Sequence, residues 1–207
     1  MVFALDLEGV LSPEIWPVIA GYFDVPELRL TTRDVGDFND LMTHRVAATR
    51  RAKLTLQDLQ RVAHTVEPYL GARDFLQRLR ALGQVVIISD TFHELAEPLV
   101  AKLGGHSLFA NHFEVDEQGL LKGFRLRIRG IKERIVSGFH SAGFHVAAVG
   151  DSLNDLSILK TCDYPLLFRP VEALHMEFPH SKVAHNLDDA LAILEGFARQ
   201  DNGASGA

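Results

Sequence analysis

Short apolar runs recur at wide spacing along the chain, at residues 2–5, 85–88, 146–149 and 166–168. Each has the length of a strand, and β-branched residues mark the second and third. Between them the apolar spacing becomes helical. Residues 72–82 place Phe75, Leu76, Leu79 and Leu82 on one face and stop at Gly83, a candidate left-handed cap. Residues 94–103 predict a helix that Pro98 should kink or delimit. Residues 131–142 carry Ile131, Ile135, Val136 and Phe139 on one stripe and end at Gly143. Strands alternating with helices predict an α/β fold, a doubly wound parallel sheet covered on both faces.

Residues 11–70 break this alternation. They read as helical and carry no good strand. Thr55-Leu56-Gln57-Asp58 has the form of a capping box, followed by apolar Leu59, Val62, Ala63 and Val66. So long a stretch between two parallel strands exceeds a simple crossover, so it predicts a small helical cap inserted after the first strand. The expected division is a core of residues 1–10 and 71–199, a cap of residues 11–70, and a disordered polar tail of residues 200–207. Residues 113–127 alternate around Asp116-Glu117-Gln118-Gly119 and predict a β-hairpin.

Composition narrows the function. The 207 residues allow one domain with an insertion. A net charge of -6 argues against nucleic acid or a membrane surface as partner. The single cysteine, Cys162, excludes an internal disulfide framework and a Cys-rich zinc site. The histidines are scattered, without metal-ligand spacing. The apolar runs are far shorter than the ~20 residues of a membrane helix. Residues 1–6 lack signal-peptide features. The expectation is a cytoplasmic globule.

Three of the strands end in acids. The first runs into Asp6-Leu7-Glu8-Gly9-Val10, the second into Ser89-Asp90-Thr91, and the third into Gly150-Asp151-Ser152-Leu153-Asn154-Asp155. In an open parallel sheet, ligands bind beyond the carboxyl ends of the strands. Any one such tip reads equally well as an ordinary loop or helix cap. Three together predict convergence on one point. Converging carboxylates repel and call for a hard cation with oxygen ligands, Mg²⁺. Mg²⁺, a hydroxyl donor and a basic residue suit a phosphate ligand. A carboxylate beside the metal can attack phosphorus, and a second carboxyl two residues on can supply and withdraw a proton.

Asp6-x-Glu8-Gly9-Val10, Ser89, Lys132 and Gly150-Asp151-x-x-Asn154-Asp155 resemble the four motifs of the haloacid dehalogenase superfamily of phosphatases. The chain is more closely similar to its phosphoserine phosphatase branch. Within that branch it resembles the bifunctional phosphoserine phosphatase/phosphoserine:homoserine phosphotransferases. Pro13-Glu14-Ile15-Trp16, Thr31-Thr32-Arg33-Asp34, Leu41-Met42 and Ser89-Asp90-Thr91-Phe92 carry that likeness. Glu8, where the wider superfamily has Asp, and Ser152, where it has Gly, sharpen it.

The resemblance implies a Rossmann-like core and these roles. Asp6 is the nucleophile, and Glu8 the general acid/base. Mg²⁺ is held by Asp6, the Glu8 carbonyl and Asp151, with Asp155 in support. Ser89 and the Asp90 amide bind the phosphoryl group, and Lys132 neutralises it. Lys122 is the rival candidate for that lysine. Asn154 lies near the substrate. Glu14 and Arg45 grip the ammonium and carboxylate of O-phosphoserine; Arg suits a carboxylate bidentately. Homoserine is a further acceptor, and a homodimer is admitted as an assembly.

Other features have plainer readings. Lys122, Arg125, Arg127, Arg129, Lys132 and Arg134 read as a solvated hairpin edge more than a nucleic-acid patch. Trp16 is a candidate for the substrate face; Tyr22 and Phe23 read as cap core. Cys162 reads as inert packing and His93 as a surface or capping residue. Two alternatives stand: a related capped phosphatase for another small phosphorylated metabolite, and a non-catalytic phospho-acceptor module.

Overall fold

The computed structural model describes residues 1–128 and 130–204. Strand β1 (Val2–Leu5) is followed by helices α1 (Ile15–Phe23), α2 (Thr32–Val35), α3 (Phe38–Arg51) and α4 (Leu56–Ala63). Then come α5 (Ala72–Arg80), β2 (Gln84–Phe92), α6 (His93–Lys102), β3 (Ser107–Val115) and β4 (Leu121–Arg125). The chain continues through α7 (Lys132–Ser141), β5 (Val146–Gly150), α8 (Leu156–Thr161), β6 (Tyr164–Phe168), α9 (Glu172–Glu177), β7 (Lys182–Ala184) and α10 (Leu187–Ala204). The sheet order is β4-β3-β2-β1-β5-β6-β7. Among the described strands of the sheet, β3 and β4 pair antiparallel and the other neighbours pair parallel.

The strand alternation sorts the core into two layers. Phe3 and Leu5 of β1 pack with Phe75, Leu76, Leu79, Leu95 and Leu194 on one face. Val2 and Ala4 pack with Val136, Ile158 and Leu159 on the other. Both faces of β1 are therefore dry, which is why its sequence is a continuous apolar run. The first layer also takes in Ile15, Ile19, Met42, Leu59 and Val62, so the helical insertion shares a core with the sheet.

Several expectations change. Pro98 lies inside α6, which runs on to Lys102. A proline has no N–H to offer the carbonyl four residues back, that of Glu94. Gln60 of α4 donates to that carbonyl instead, at 3.2 Å. Helix α5 ends at Arg80, so Leu82 stands outside it, 38% exposed. Gly83 does not take a positive φ; a Cβ there would strike the Met1 carbonyl. Gly143 does take one, at 83°. Tyr22 is not core: it is 63% exposed. The hairpin is present, but its first strand begins at Ser107 and extends the main sheet beside β2. Helix α10 runs to Ala204 with Asp201 buried, further than the sequence suggests. Residues 205–207 of the expected tail, and Arg129 of the basic run, lie outside the described residues.

Among the described residues the insertion contains no strand, and the Thr55–Asp58 capping box is present. The hairpin clasps it. Leu56 N–H donates to the Gly119 carbonyl at 2.8 Å, and Arg50 reaches Asp116 at 2.7 Å and the Leu121 carbonyl at 3.0 Å. From α6, Lys102 donates to the His64 and Val66 carbonyls. No helix among the described residues is long and apolar enough to cross a membrane. Cys162 is half-buried beside the Leu159 carbonyl, and burial pushes its thiol up to about 12, so it is inert at neutral pH.

Candidate active site

The tips of β2, β1 and β5, neighbours in the sheet, bring the three acidic motifs to one end of the molecule. Asp6 directly follows β1. One of its oxygens accepts from the Leu7 amide at 2.8 Å, and its backbone is held by the Val149 carbonyl. Gly9 has φ 87°, and a Cβ there would run into the Asp151 carboxylate. A side chain at Gly150 would likewise strike Asp155. Both glycines are thus required by close approach of the acids.

The β2 tip is irregular where it matters. Its register with β3 shifts between Ile88 and Phe92, a segment that contains Ser89, Asp90 and Thr91. Such irregularities re-aim side chains at a strand end. Ser89 is buried and hydrogen-bonded to Asp6. Asn111 of β3, fully buried, donates to the Asp90 carbonyl at 2.8 Å and accepts from the Arg127 and Ile128 amides. That brace is a contact between distant segments, and nothing local in the sequence marks it.

Lys132, at the start of α7, is 2% exposed. Its ammonium lies 3.1 Å from Asp90 and 3.0 Å from Asp155. Lys122 is exposed on β4, away from this cluster. The other oxygen of Asp155 accepts from the Asp151 and Ser152 amides. Glu8 accepts from the Ile15 amide at 2.7 Å, at the first turn of α1, and from the Thr91 hydroxyl.

Asp6, Glu8, Glu14, Arg45, Ser89, Asp90, Asp151 and Asn154 line one cavity of about 110 Å³, closed on the insertion side by Trp16, Thr31, Thr32, Phe38 and Leu41. Lys132 and Asp155 are buried and are not part of its wall. Thr91 also borders the cavity, and it, Thr31, Thr32, Phe38 and Leu41 are not singled out as site residues by the sequence. His93 stacks on His112 and is not part of the wall.

Burial dominates the electrostatics. It raises Asp6 well above the usual carboxylate range; Asp155 adds to this and Lys132 pulls back. Burial, then Glu14, lifts Glu8 to about 7. Burial, then Asp155 and Glu14, lifts Asp151 to about 7. Burial alone would lower Lys132, but Asp155, Asp6 and Asp90 outweigh it and raise it. Arg45 is drawn down to about 10 by burial, against the pull of Glu8 and Glu14. Carboxylate oxygens of Asp6, Asp151 and Asp155 lie within 4.8 Å of one another. An all-oxygen set with more acid than Lys132 can balance suits a hard divalent cation.

Residues 12–160 match the family of haloacid dehalogenase-like hydrolases. The chain is 38% identical over 188 residues to phosphoserine phosphatase ThrH of Pseudomonas aeruginosa, covering 91% of this chain and 92% of that protein. It is 38% identical over 188 residues to a phosphoserine phosphatase of Pseudomonas syringae pv. tomato, covering 91% and 79%. A crystal structure of a phosphoserine phosphatase from T. onnurineus has the same fold, with a TM-score of 0.69 at 23% identity over 93% and 92% of the chains. A substrate-bound phosphoserine phosphatase complex aligns with a TM-score of 0.71 at 18% identity, over 93% and 97%.

Proposed function

This chain belongs to the haloacid dehalogenase-like hydrolases, and from that premise we propose that it is a phosphoserine phosphatase working through an aspartyl-phosphate on Asp6. One observation carries the reading. Asp6, Glu8 and Ser89 face Arg45 and Glu14 across a single small cavity. A phosphate needs the first group, and a zwitterionic amino acid needs an anchor of each sign. Residues 11–70 then serve as a cap that chooses the substrate and excludes water.

The chemistry follows from the residues. An Asp6 oxygen attacks phosphorus opposite the serine oxygen. The phosphorus–serine bond breaks, and Glu8 gives its proton to the leaving oxygen. A Glu8 value of about 7 lets it carry that proton at neutral pH and take one back afterwards. A water then gives its proton to Glu8 and its oxygen to phosphorus, and the Asp6–phosphorus bond breaks. Ser89 and the Asp90 amide hold the phosphoryl oxygens, while Lys132 fixes Asp90 and Asp155 and neutralises the cluster. Asp6, the Glu8 carbonyl and Asp151 would hold Mg²⁺, which would neutralise phosphoryl charge, with Asp155 behind them. Asn154 borders the substrate.

The same site extends to homoserine as acceptor in place of water, since a bound hydroxyl reaches a high effective concentration. We place the protein in the cytoplasm, and a homodimer belongs to the same reading. The deciding assay supplies O-phosphoserine and Mg²⁺, with and without homoserine. Serine and free phosphate in multiple turnovers support the phosphatase. Phosphohomoserine supports transfer; its absence removes that part. Arg45→Ala should raise KM for O-phosphoserine by at least about tenfold, as loss of a charge-assisted contact does. An unchanged KM would sink the carboxylate assignment and favour another phosphorylated metabolite.

Metal binding carries its own test. Asp151 and Glu8 stand at about 7 in the metal-free fold, above their unfolded values. Their protonated forms therefore favour the fold. That contribution is complete below the unfolded values of about 4 and is lost as pH rises through about 7. Added Mg²⁺ replaces the proton on Asp151, while Glu8, whose carbonyl alone would hold the metal, keeps its own; Mg²⁺ should therefore raise the melting temperature more at about pH 8 than at about pH 5. Equal shifts at both, or none, would count against a metal at these acids.

A further inference from the structure

We propose that Trp16 is a positioning residue that holds the Arg45 guanidinium at a fixed height above the phosphoryl-binding strand tip, and so sets which substrates fit. This rests on the reading of Arg45 as the carboxylate anchor. Arg45 rises from α3 into the cavity and is 7% exposed. One terminal nitrogen donates to the Leu30 carbonyl at 2.8 Å, and the other meets the Met42 sulfur at 3.7 Å. Its Nε is buried without a hydrogen-bond partner among the described residues. Those contacts meet the guanidinium at its edge and leave the support of its plane to a stacking partner. The indole of Trp16 is that partner, lying under the guanidinium carbon at 4.7 Å.

Trp16 is itself fixed. It is 4% exposed and meets Phe113 edge to face, with ring centres 6.2 Å apart. Phe113 stacks on Phe92 at 3.8 Å, the planes 9° apart. Phe92 closes β2, immediately after Ser89-Asp90-Thr91. An aromatic column thus runs from the tip that carries the phosphoryl contacts to the cation on the opposite wall. It adds an aromatic link between the insertion and the β2 tip to the hydrogen bonds that already join the insertion to the core. A rigid spacer of this kind makes the separation between phosphate and carboxylate a property of the site. The relay acts through Arg45, so its loss should appear in KM and vanish when Arg45 is gone.

The experiment is a double-mutant cycle. KM and kcat are measured for O-phosphoserine and for p-nitrophenyl phosphate, which has neither ammonium nor carboxylate. Trp16→Leu should raise KM for O-phosphoserine about tenfold, with kcat changed less than about threefold. The rise for p-nitrophenyl phosphate should be smaller by at least about threefold. In Arg45→Ala the same Trp16→Leu change should add no further rise. Trp16→Phe keeps an aromatic face and should recover most of the loss; it carries the cycle if the Leu variant does not fold. Equal multiplication of KM in both backgrounds would overturn the proposal, as would equal loss for both substrates. If Arg45→Ala alone leaves KM for O-phosphoserine unchanged, the anchor reading fails, and this proposal with it.

Discussion

Asp6→Asn should abolish multiple-turnover phosphate release, by on the order of 10⁴ or more, as removal of a covalent nucleophile does elsewhere. The amide keeps the shape of the side chain but cannot attack phosphorus. The fold should not suffer. Asp6 is buried and its charged form is disfavoured, first by burial and then by Asp155 and Asp151. A neutral isostere removes that repulsion at the cost of one Lys132 attraction. The metal-free variant should therefore melt at or above the wild-type temperature. This pairing of dead activity with an undiminished fold separates a nucleophile from a structural acid. Stoichiometric labelling of wild type without turnover would favour the phospho-acceptor module instead. Residual turnover within about tenfold of wild type would show that another group attacks.

Lys132→Met should be the most destabilising single change at the site, by about 3–5 kcal/mol at neutral pH, with activity lost as well. The ammonium is buried against Asp90 and Asp155, and it is the cation that draws Asp6 back toward its charged form. Methionine fills similar space but leaves buried carboxylates without a counter-charge. Without Lys132, Asp6 rises further above its unfolded value. A group so raised favours the fold below the unfolded value and loses that contribution as pH rises. The part of the gap that Asp6 contributes should therefore be absent near about pH 4, where Asp6 is neutral in both folds, and open only at alkaline pH, about 9, as wild-type Asp6 ionises. Urea unfolding of the metal-free proteins at the two pH values reads it. A gap of the same size at both would mean that lost packing, not charge, explains the defect.

Much of the sheet was legible because its central strands are dry on both faces. Residues of β1, β5 and β6 could be read from apolar runs alone. Strand β3 could not, because Asn111 and His112 interrupt its apolar character. Asn111 is polar in the sequence and fully buried in the fold, since three backbone groups from two other segments satisfy it. Strand β7, with three residues at the sheet edge, is too short to leave a pattern. Pro98 misled for a related reason. The hydrogen bond it denies its own helix is made by Gln60, from a helix that local sequence does not place beside it.

The site divides in the same way. Residue types at strand ends follow from local sequence, so Asp6, Glu8, Ser89, Asp90, Asp151 and Asp155 are legible there as candidates. The chemistry of a carboxylate or hydroxyl belongs to the residue itself. Proton affinity does not. Glu8 and Asp151 stand at about 7 because burial and acids from other segments act on them. Lys132, adjacent to none of the three acidic tips in sequence, becomes their counter-ion only when α7 packs beside β5. The stack of Trp16 under Arg45, and its column to Phe92, joins an insertion helix, the hairpin and the β2 tip. The sequence by itself determined which chemical groups the chain has and on which elements they ride. Only the tertiary structure decided their distances, burial and charge state, because those arise between segments that the chain brings together by folding.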